Sequence, residues 1–112
     1  MPFDEVLKPA GDLPGTVAIT SYGTLVLKVK AKRFARRWED ETTLVLKVPL
    51  VVREHLLSTS PDTFFITDHY RDYPWVLVRL ALVRRKEMLQ LLQESWRQVA
   101  PSRLVAAYDA RS

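Results

Sequence analysis

The clearest regularity in the chain is a two-residue period. Across residues 24–30, Leu25, Leu27 and Val29 fall on one side and Val26, Lys28 and Lys30 on the other. Residues 42–48 repeat the pattern, with Leu44, Leu46 and Val48 opposed to Thr43, Val45 and Lys47. Both stretches read as strands with one apolar face. Residues 33–38 predict a strand between them, entered by an Ala31-Lys32 hairpin turn and left by the charged turn Glu39-Asp40-Glu41. The three form an antiparallel meander. Residues 63–67 and 75–82 predict two more strands around a polar corner, 69–74, in the most aromatic part of the chain.

Helical spacing governs the rest. Residues 84–99 carry Met88, Leu89, Leu92, Trp96 and Val99 as one apolar stripe. Pro101 ends that helix and can restart a terminal one over 102–109, with Leu104, Ala107 and Tyr108 on one side. A short helix over 50–57 follows Pro49, with Val52, Leu56 and Leu57 as its apolar side. Residues 3–7 open the chain as a weak helix, soon ended by Pro9 and Gly11. Leu13-Pro14-Gly15 is a turn signal, and 16–22 is β-branched and extended up to a break at Gly23. The expected fold is α+β in two layers: a single antiparallel five-stranded sheet, order α-β3-α-β2-α, with helices packed on one face. At 112 residues this is one domain, 1–112.

Parity assigns the two faces of that sheet. Leu25, Leu27, Val29, Leu44, Leu46, Val48, Val76, Val78 and Leu80 belong under the helices. Lys28, Lys30, Lys47 and Arg79 belong on the other face, with Val26, Val45, Trp75 and Leu77 among them. The strand 33–38 can be placed either way. Turning Phe34, Arg36 and Trp38 outward leaves Arg33 and Arg37 inward only at strand ends, where long side chains reach water, and sets Ala35 beneath the helices. That placement is preferred.

Charge sharpens this picture. Lys and Arg outnumber Asp and Glu by 17 to 13, a net charge of +4. Lys28, Lys30, Lys32, Arg33, Arg36 and Arg37 follow one another with no acid between them. Such an excess attracts polyanions. There is no cysteine, hence no disulfide, no thiolate metal site and no thiol nucleophile. With neither an apolar leader after Met1 nor an apolar run of spanning length, a soluble cytoplasmic protein that contacts no membrane is expected.

Catalytic signatures are missing. His55 and His69 lack metal-ligand spacing, so no metal and no cofactor is expected. Asp68, Arg71 and Asp72 flank Tyr70 and Tyr73; turn capping accounts for them better than acid–base chemistry, and His69 is expected to bond the backbone of its turn. Ser21-Tyr22-Gly23 lacks the paired glycines of a nucleophile elbow, and no glycine-rich phosphate loop exists. Arg84-Arg85-Lys86 at the start of the long helix opposes the helix dipole, a misfit tolerated at a surface.

Six segments, taken in order, carry a family resemblance: Leu13-Pro14-Gly15-Thr16-Val17, Thr20-Ser21-Tyr22-Gly23-Thr24, Lys32-Arg33-Phe34-Ala35-Arg36, Leu44-Val45-Leu46-Lys47-Val48, His69-Tyr70-Arg71-Asp72-Tyr73-Pro74-Trp75-Val76 and Glu94-Ser95-Trp96-Arg97-Gln98-Val99-Ala100-Pro101. Together they resemble the MmcQ/YjbR family from about Leu13 to Tyr108. The chain departs from that pattern at Leu25-Val26-Leu27, where the family usually has Pro-Ala-Phe, and at Ala31, where it has Gly. The resemblance implies a two-layer α+β domain similar to CyaY (frataxin-like) and secretion-chaperone-like folds. It also implies DNA binding, through a double-wing reading of the hairpins, and no catalytic residue set.

The function expected is therefore a small, non-catalytic, bacterial-type DNA-binding protein, monomeric or weakly dimeric. Lys28, Lys30, Lys32, Arg33, Arg36, Arg37, Lys47 and Arg79 would meet phosphates, with Phe34, Trp38 and Trp75 as aromatic contacts. The alternative is a protein-interaction or chaperone-like module on the same face, with those rings as anchors and the cations as rim. An enzyme or small-anion site is a third reading, which a deep pocket on that face holding Lys47, His69 and Arg79 together would support.

Overall fold

A two-residue turn decides how the sheet begins. In the computed structural model, which describes residues 1–40 and 42–111, Tyr22 and Gly23 both take positive φ, 52° and 75°. Two such residues give a turn whose twist matches that of a hairpin. It folds β1 (Thr16–Ser21) back along β2 (Thr24–Val29), from Thr16 opposite Val29 to Ser21 opposite Thr24. The stretch expected outside the sheet is therefore its edge strand, and the sheet has six strands rather than five.

The remaining strands are β3 (Lys32–Arg37), β4 (Thr43–Lys47), β5 (Phe64–Phe65) and β6 (Trp75–Arg79). Their order across the sheet is β1-β2-β3-β4-β6-β5, and every neighbouring pair is antiparallel. The β2–β3 turn falls on Lys30-Ala31, one residue earlier than expected. Its left-handed residue is Lys30, at φ 54°, so Ala31 is not strained by lacking a glycine's freedom.

Four helices lie on one face: α1 (Asp4–Gly11), α2 (Leu50–Thr59), α3 (Arg85–Val99) and α4 (Ser102–Ala110). α1 runs through Pro9 instead of stopping before it. Proline removes one backbone donor, but Val6 and Ala10, one turn apart, are both fully buried and hold the helix down. The core joins Val6 and Ala10 of α1, Leu56 of α2 and Met88, Leu91, Leu92, Trp96 and Val99 of α3 to the inward rows of the sheet. Those rows are the expected ones: Leu27, Val29, Leu44, Leu46, Val48, Val76, Val78 and Leu80 are buried there, and Leu25 packs at the margin. Trp96 donates its indole N–H to the Pro14 carbonyl at 2.8 Å and meets the Tyr108 ring edge-on at 5.2 Å. One buried ring thus ties α3 to the loop before β1 and to α4.

The middle of β3 departs from simple alternation. Leu27 pairs with Ala35 but Lys28 pairs with Arg33, so Phe34 is an extra residue in β3, a bulge. Phe34 and Ala35 both become fully buried beneath the helices. Arg33, paired with Lys28, moves to the opposite face. The preferred placement of Phe34 outward and Arg33 inward is therefore reversed, while Ala35, Arg36, Arg37 and Trp38 keep the sides expected of them. Arg37 stands over the Phe3 ring at 5.2 Å, on the helix side.

The turn into β4 is held by one carboxylate. Asp40 Oδ1 accepts the backbone N–H groups of Thr42 and Thr43, both at 3.0 Å, and Oδ2 accepts the Thr43 hydroxyl at 2.8 Å. What burial Asp40 has works against its charge, but these bonds outweigh it and hold its pKa below the usual carboxylate value. A depressed pKa stabilises the fold above the unfolded value near 3.8 and is lost as pH falls through the lower folded value. Asp40→Ala is expected to lower stability by at most about 1 kcal/mol at neutral pH, because the site is well solvated. The gap should close in acid. Urea midpoints at about pH 7 and about pH 2.5 check both statements; a gap that persists in acid contradicts them.

Candidate functional site

The second face of the sheet is organised from α2. The buried side of that helix carries Arg53, 5 % exposed, beside Leu56. Its Nη1 donates to the carbonyls of Tyr70 at 2.9 Å and Tyr73 at 2.8 Å, and more weakly to Trp75 at 3.4 Å. Its Nη2 donates to Arg71 at 2.9 Å and touches Glu54 at 3.4 Å. The corner between β5 and β6, which includes a 3-10 turn at Asp68–Tyr70, is thus wrapped around one guanidinium. Residue patterning missed Arg53. A lone arginine on the apolar side of a helix that precedes a polar corner was the available signal.

Pinned in this way, Tyr70 lies across the sheet. It covers Val45 and Leu77, with Trp38, Phe65 and Trp75 packed around them. The face expected to be open is therefore capped in its middle by the chain itself. His69 turns its ring edge-on to Tyr70 at 4.7 Å, where a bond to its turn was expected. Asp68 pairs with Arg71 at the exposed rim.

Strand register sorts the candidate cations. Val17, Lys28 and Arg33 form a row across β1, β2 and β3, and Lys47 faces Trp75 across β4 and β6. The next row runs Ile19, Val26, Arg36, Val45, Leu77 and Phe65. Arg36 lies in its middle and is held on two sides. Its Nε and Nη2 donate to the Tyr70 hydroxyl at 3.0 and 2.5 Å, and its Nη1 reaches Glu39 at 3.2 Å. Partial burial opposes its charge, but the bonds and Coulomb attraction of Tyr70 and Glu39 prevail and raise its pKa above the ordinary arginine value.

Arg79 stands apart from this group, facing Thr43 across the strands with its guanidinium 4.0 Å over the Phe65 ring. Lys30 lies in the exposed β2–β3 turn and Lys32 directly follows it. Lys28, Arg33, Arg36 and Lys47 therefore gather on one part of the face, whereas Arg37 and Arg79 do not join them. Of the three aromatic candidates, Phe34 is buried in the core, Trp38 packs edge-on to Phe65 at 5.8 Å, and Trp75 faces a cavity.

That cavity, about 280 Å³, opens between the corner and the β2–β3 hairpin. Val26 and Val45 line it with aliphatic surface; Arg33, Arg36, His69, Tyr70 and Trp75 supply its polar and aromatic walls. Among the described residues no helix is long and apolar enough to cross a membrane.

A six-stranded antiparallel sheet, with four helices on one face and a cationic, aromatic-walled cavity on the other, defines a two-layer α+β protein. A family model described as YjbR matches residues 11–98, and the chain belongs to that family. It is similar to the uncharacterized proteins Rv2570 of Mycobacterium tuberculosis and Mb2600 of Mycobacterium bovis, at 39% identity over 61 residues in each case. The matched part is 54% of this chain and 47% of each relative, so the chain spans about half the length of the curated relatives it matches. A crystal structure of Deinococcus radiodurans protein DR2400, with a domain of the DUF419 family, is similar at a TM-score of 0.79 and 25% identity. The match covers 90% of this chain and 80% of that one.

Arg53 supplies the test of this geometry. Arg53→Met keeps the stem but takes the Nη2 donor from the Arg71 carbonyl and the second donor from the Tyr70 and Tyr73 carbonyls, which keep the N–H groups of Tyr73 and Trp75, and should cost about 2–4 kcal/mol. Arg53→Lys should recover only part of that, since a point charge cannot reproduce the fork. Urea midpoints measure both. A lysine variant as stable as wild type would show that charge, not the planar fork, holds the corner.

Proposed function

We propose that this chain binds nucleic acid, DNA in the first place, by phosphate contacts and without a reaction on the bound strand. The observation that supports this reading is a contrast among its cations. Arg36, Arg53, Arg71, Arg85 and Arg97 each have a carboxylate within 4.0 Å. Among the described residues, Lys28, Lys30, Lys32, Arg33 and Lys47 have none, although Arg33 does reach the Ser21 hydroxyl at 3.3 Å. Lys8, Arg79, Arg84, Lys86, Arg103 and Arg111 have none either, but they are spread over other elements, whereas the first five occupy one hairpin and the strand beside it. Such charges attract a phosphate backbone and release its counterions, and they offer position rather than base reading. The protein-docking alternative has less support. It relied on Phe34, Trp38 and Trp75 as anchors, and Phe34 lies in the core while Trp38 is half covered.

Four or so neutralised phosphates imply a salt slope near −3.6, so duplex affinity should fall about a hundredfold between about 50 and 200 mM salt. Replacing Lys28 and Lys30 together by glutamate should weaken low-salt binding by at least about tenfold and flatten that slope. Fluorescence anisotropy on a labelled duplex reads both. Absent binding at low salt, or binding indifferent to salt, contradicts the proposal.

A further inference from the structure

The cavity beside Tyr70 has a chemistry that the phosphate-backbone reading does not use. The Tyr70 hydroxyl accepts two N–H groups from Arg36. A phenol has one hydrogen to donate, and among the described residues nothing accepts it. Tyr70 is 8 % exposed, so its donor is held at the cavity wall rather than spread into water. Arg36 and Arg33 line the same cavity, and His69 stands at its edge. Glu39, the counter-ion of Arg36, lines the neighbouring groove with Ser21 and Tyr22. Among the described residues no Asp or Glu lines the cavity itself. Its polar wall therefore presents donors and positive charge, and its remaining surface is aliphatic with one indole edge.

We propose that this cavity binds a small organic anion: an acceptor-only head group, phosphate monoester or carboxylate, on a flat and largely apolar body. The head lies against Arg33, Arg36 and the Tyr70 O–H, where charge-assisted hydrogen bonds are strongest. The body lies between Trp75 and the floor formed by Val26 and Val45. A volume of about 280 Å³ suits a ligand of one ring rather than a polymer segment. The inference does not depend on DNA binding. The same head and body occur in a free metabolite and in the phosphorylated end of a strand, and the test separates these sources.

The experiment follows ¹H–¹⁵N spectra of the whole chain titrated with phenyl phosphate, with inorganic phosphate, with benzyl alcohol and with a 5′-phosphorylated single strand. Phenyl phosphate is expected to shift the Trp75 indole and the backbone of His69 and Tyr70. Inorganic phosphate should bind at least tenfold more weakly and benzyl alcohol not measurably. A strand that shifts these signals only when phosphorylated marks its end as the source; one that leaves them unmoved marks a free metabolite. Tyr70→Phe keeps the ring over Val45 and Leu77 and should lose at least tenfold in affinity for phenyl phosphate. Arg33→Gln, at an exposed position, should lose at least threefold with no change in stability, which guards against a folding defect in the tyrosine variant. Replacing Lys30 and Lys32 by glutamate should weaken duplex DNA binding and leave phenyl phosphate affinity intact. Unchanged affinity in Y70F and R33Q, or shifts confined to the Lys30–Lys32 turn, overturns the proposal.

Discussion

A guanidinium is costly to keep out of water unless oxygen atoms replace its hydration. Arg53 is nearly inaccessible, and besides the more distant Glu54 carboxylate the oxygens it finds are backbone carbonyls of a single corner, chiefly those of Tyr70, Arg71 and Tyr73. Carbonyl dipoles turned on one cation satisfy both sides: the charge gains acceptors, and a corner held otherwise only by its own turn bonds gains further donors. The match is not complete, since Arg53 Nε has no partner among the described residues. A branched aliphatic side chain could fill the space but would take the donor from the Arg71 carbonyl and leave those of Tyr70 and Tyr73 with only the N–H groups of Tyr73 and Trp75.

From this one interaction a sequence of dependencies follows. The corner holds Tyr70 over Val45 and Leu77, and these bury a second, smaller apolar cluster on the face away from the helices. The Tyr70 hydroxyl then meets Arg36 from the neighbouring strand. Arg36 is kept charged and fixed by partners at both ends of its guanidinium. A side chain that would otherwise sweep through solvent becomes a wall of the cavity, its conformational freedom already spent before any ligand arrives.

Much of the architecture was legible in the chain because alternation is a direct consequence of strand geometry. Leu27, Val29, Leu44, Leu46, Val48, Val76, Val78 and Leu80 went where a two-residue period sends them. Two features escaped for different reasons. The first strand was read as a separate extended stretch because Tyr22-Gly23 looked like a break; its meaning as a hairpin turn rests on a left-handed tyrosine, which composition does not announce. The role of Arg53 escaped because it depends on contacts to residues 17 to 22 positions away, beyond any local period. Of the candidate site, Lys28, Lys47, Trp75 and Arg36 were placed by parity, whereas Arg33 and Phe34 were exchanged between faces.

That exchange is what joins the fold to its surface chemistry. A regular β3 would carry Arg33, Ala35 and Arg37 toward the helices and Phe34 outward, and a phenylalanine would then stand where the cavity opens. One extra residue between the pairs Leu27–Ala35 and Lys28–Arg33 changes both outcomes. It sends the ring of Phe34 into the core, where its full burial contributes about 1.5–3 kcal/mol. It also turns Arg33 to lie beside Lys28. The lost ladder bond of a bulge is thereby offset by apolar burial, and the cationic row is a consequence of a packing solution. The same residue pair explains why the two proposed ligands can be separated by mutation. Arg33 borders both the cavity and the hairpin row, but Lys30 and Lys32 belong only to the hairpin's turn end and Tyr70 only to the cavity.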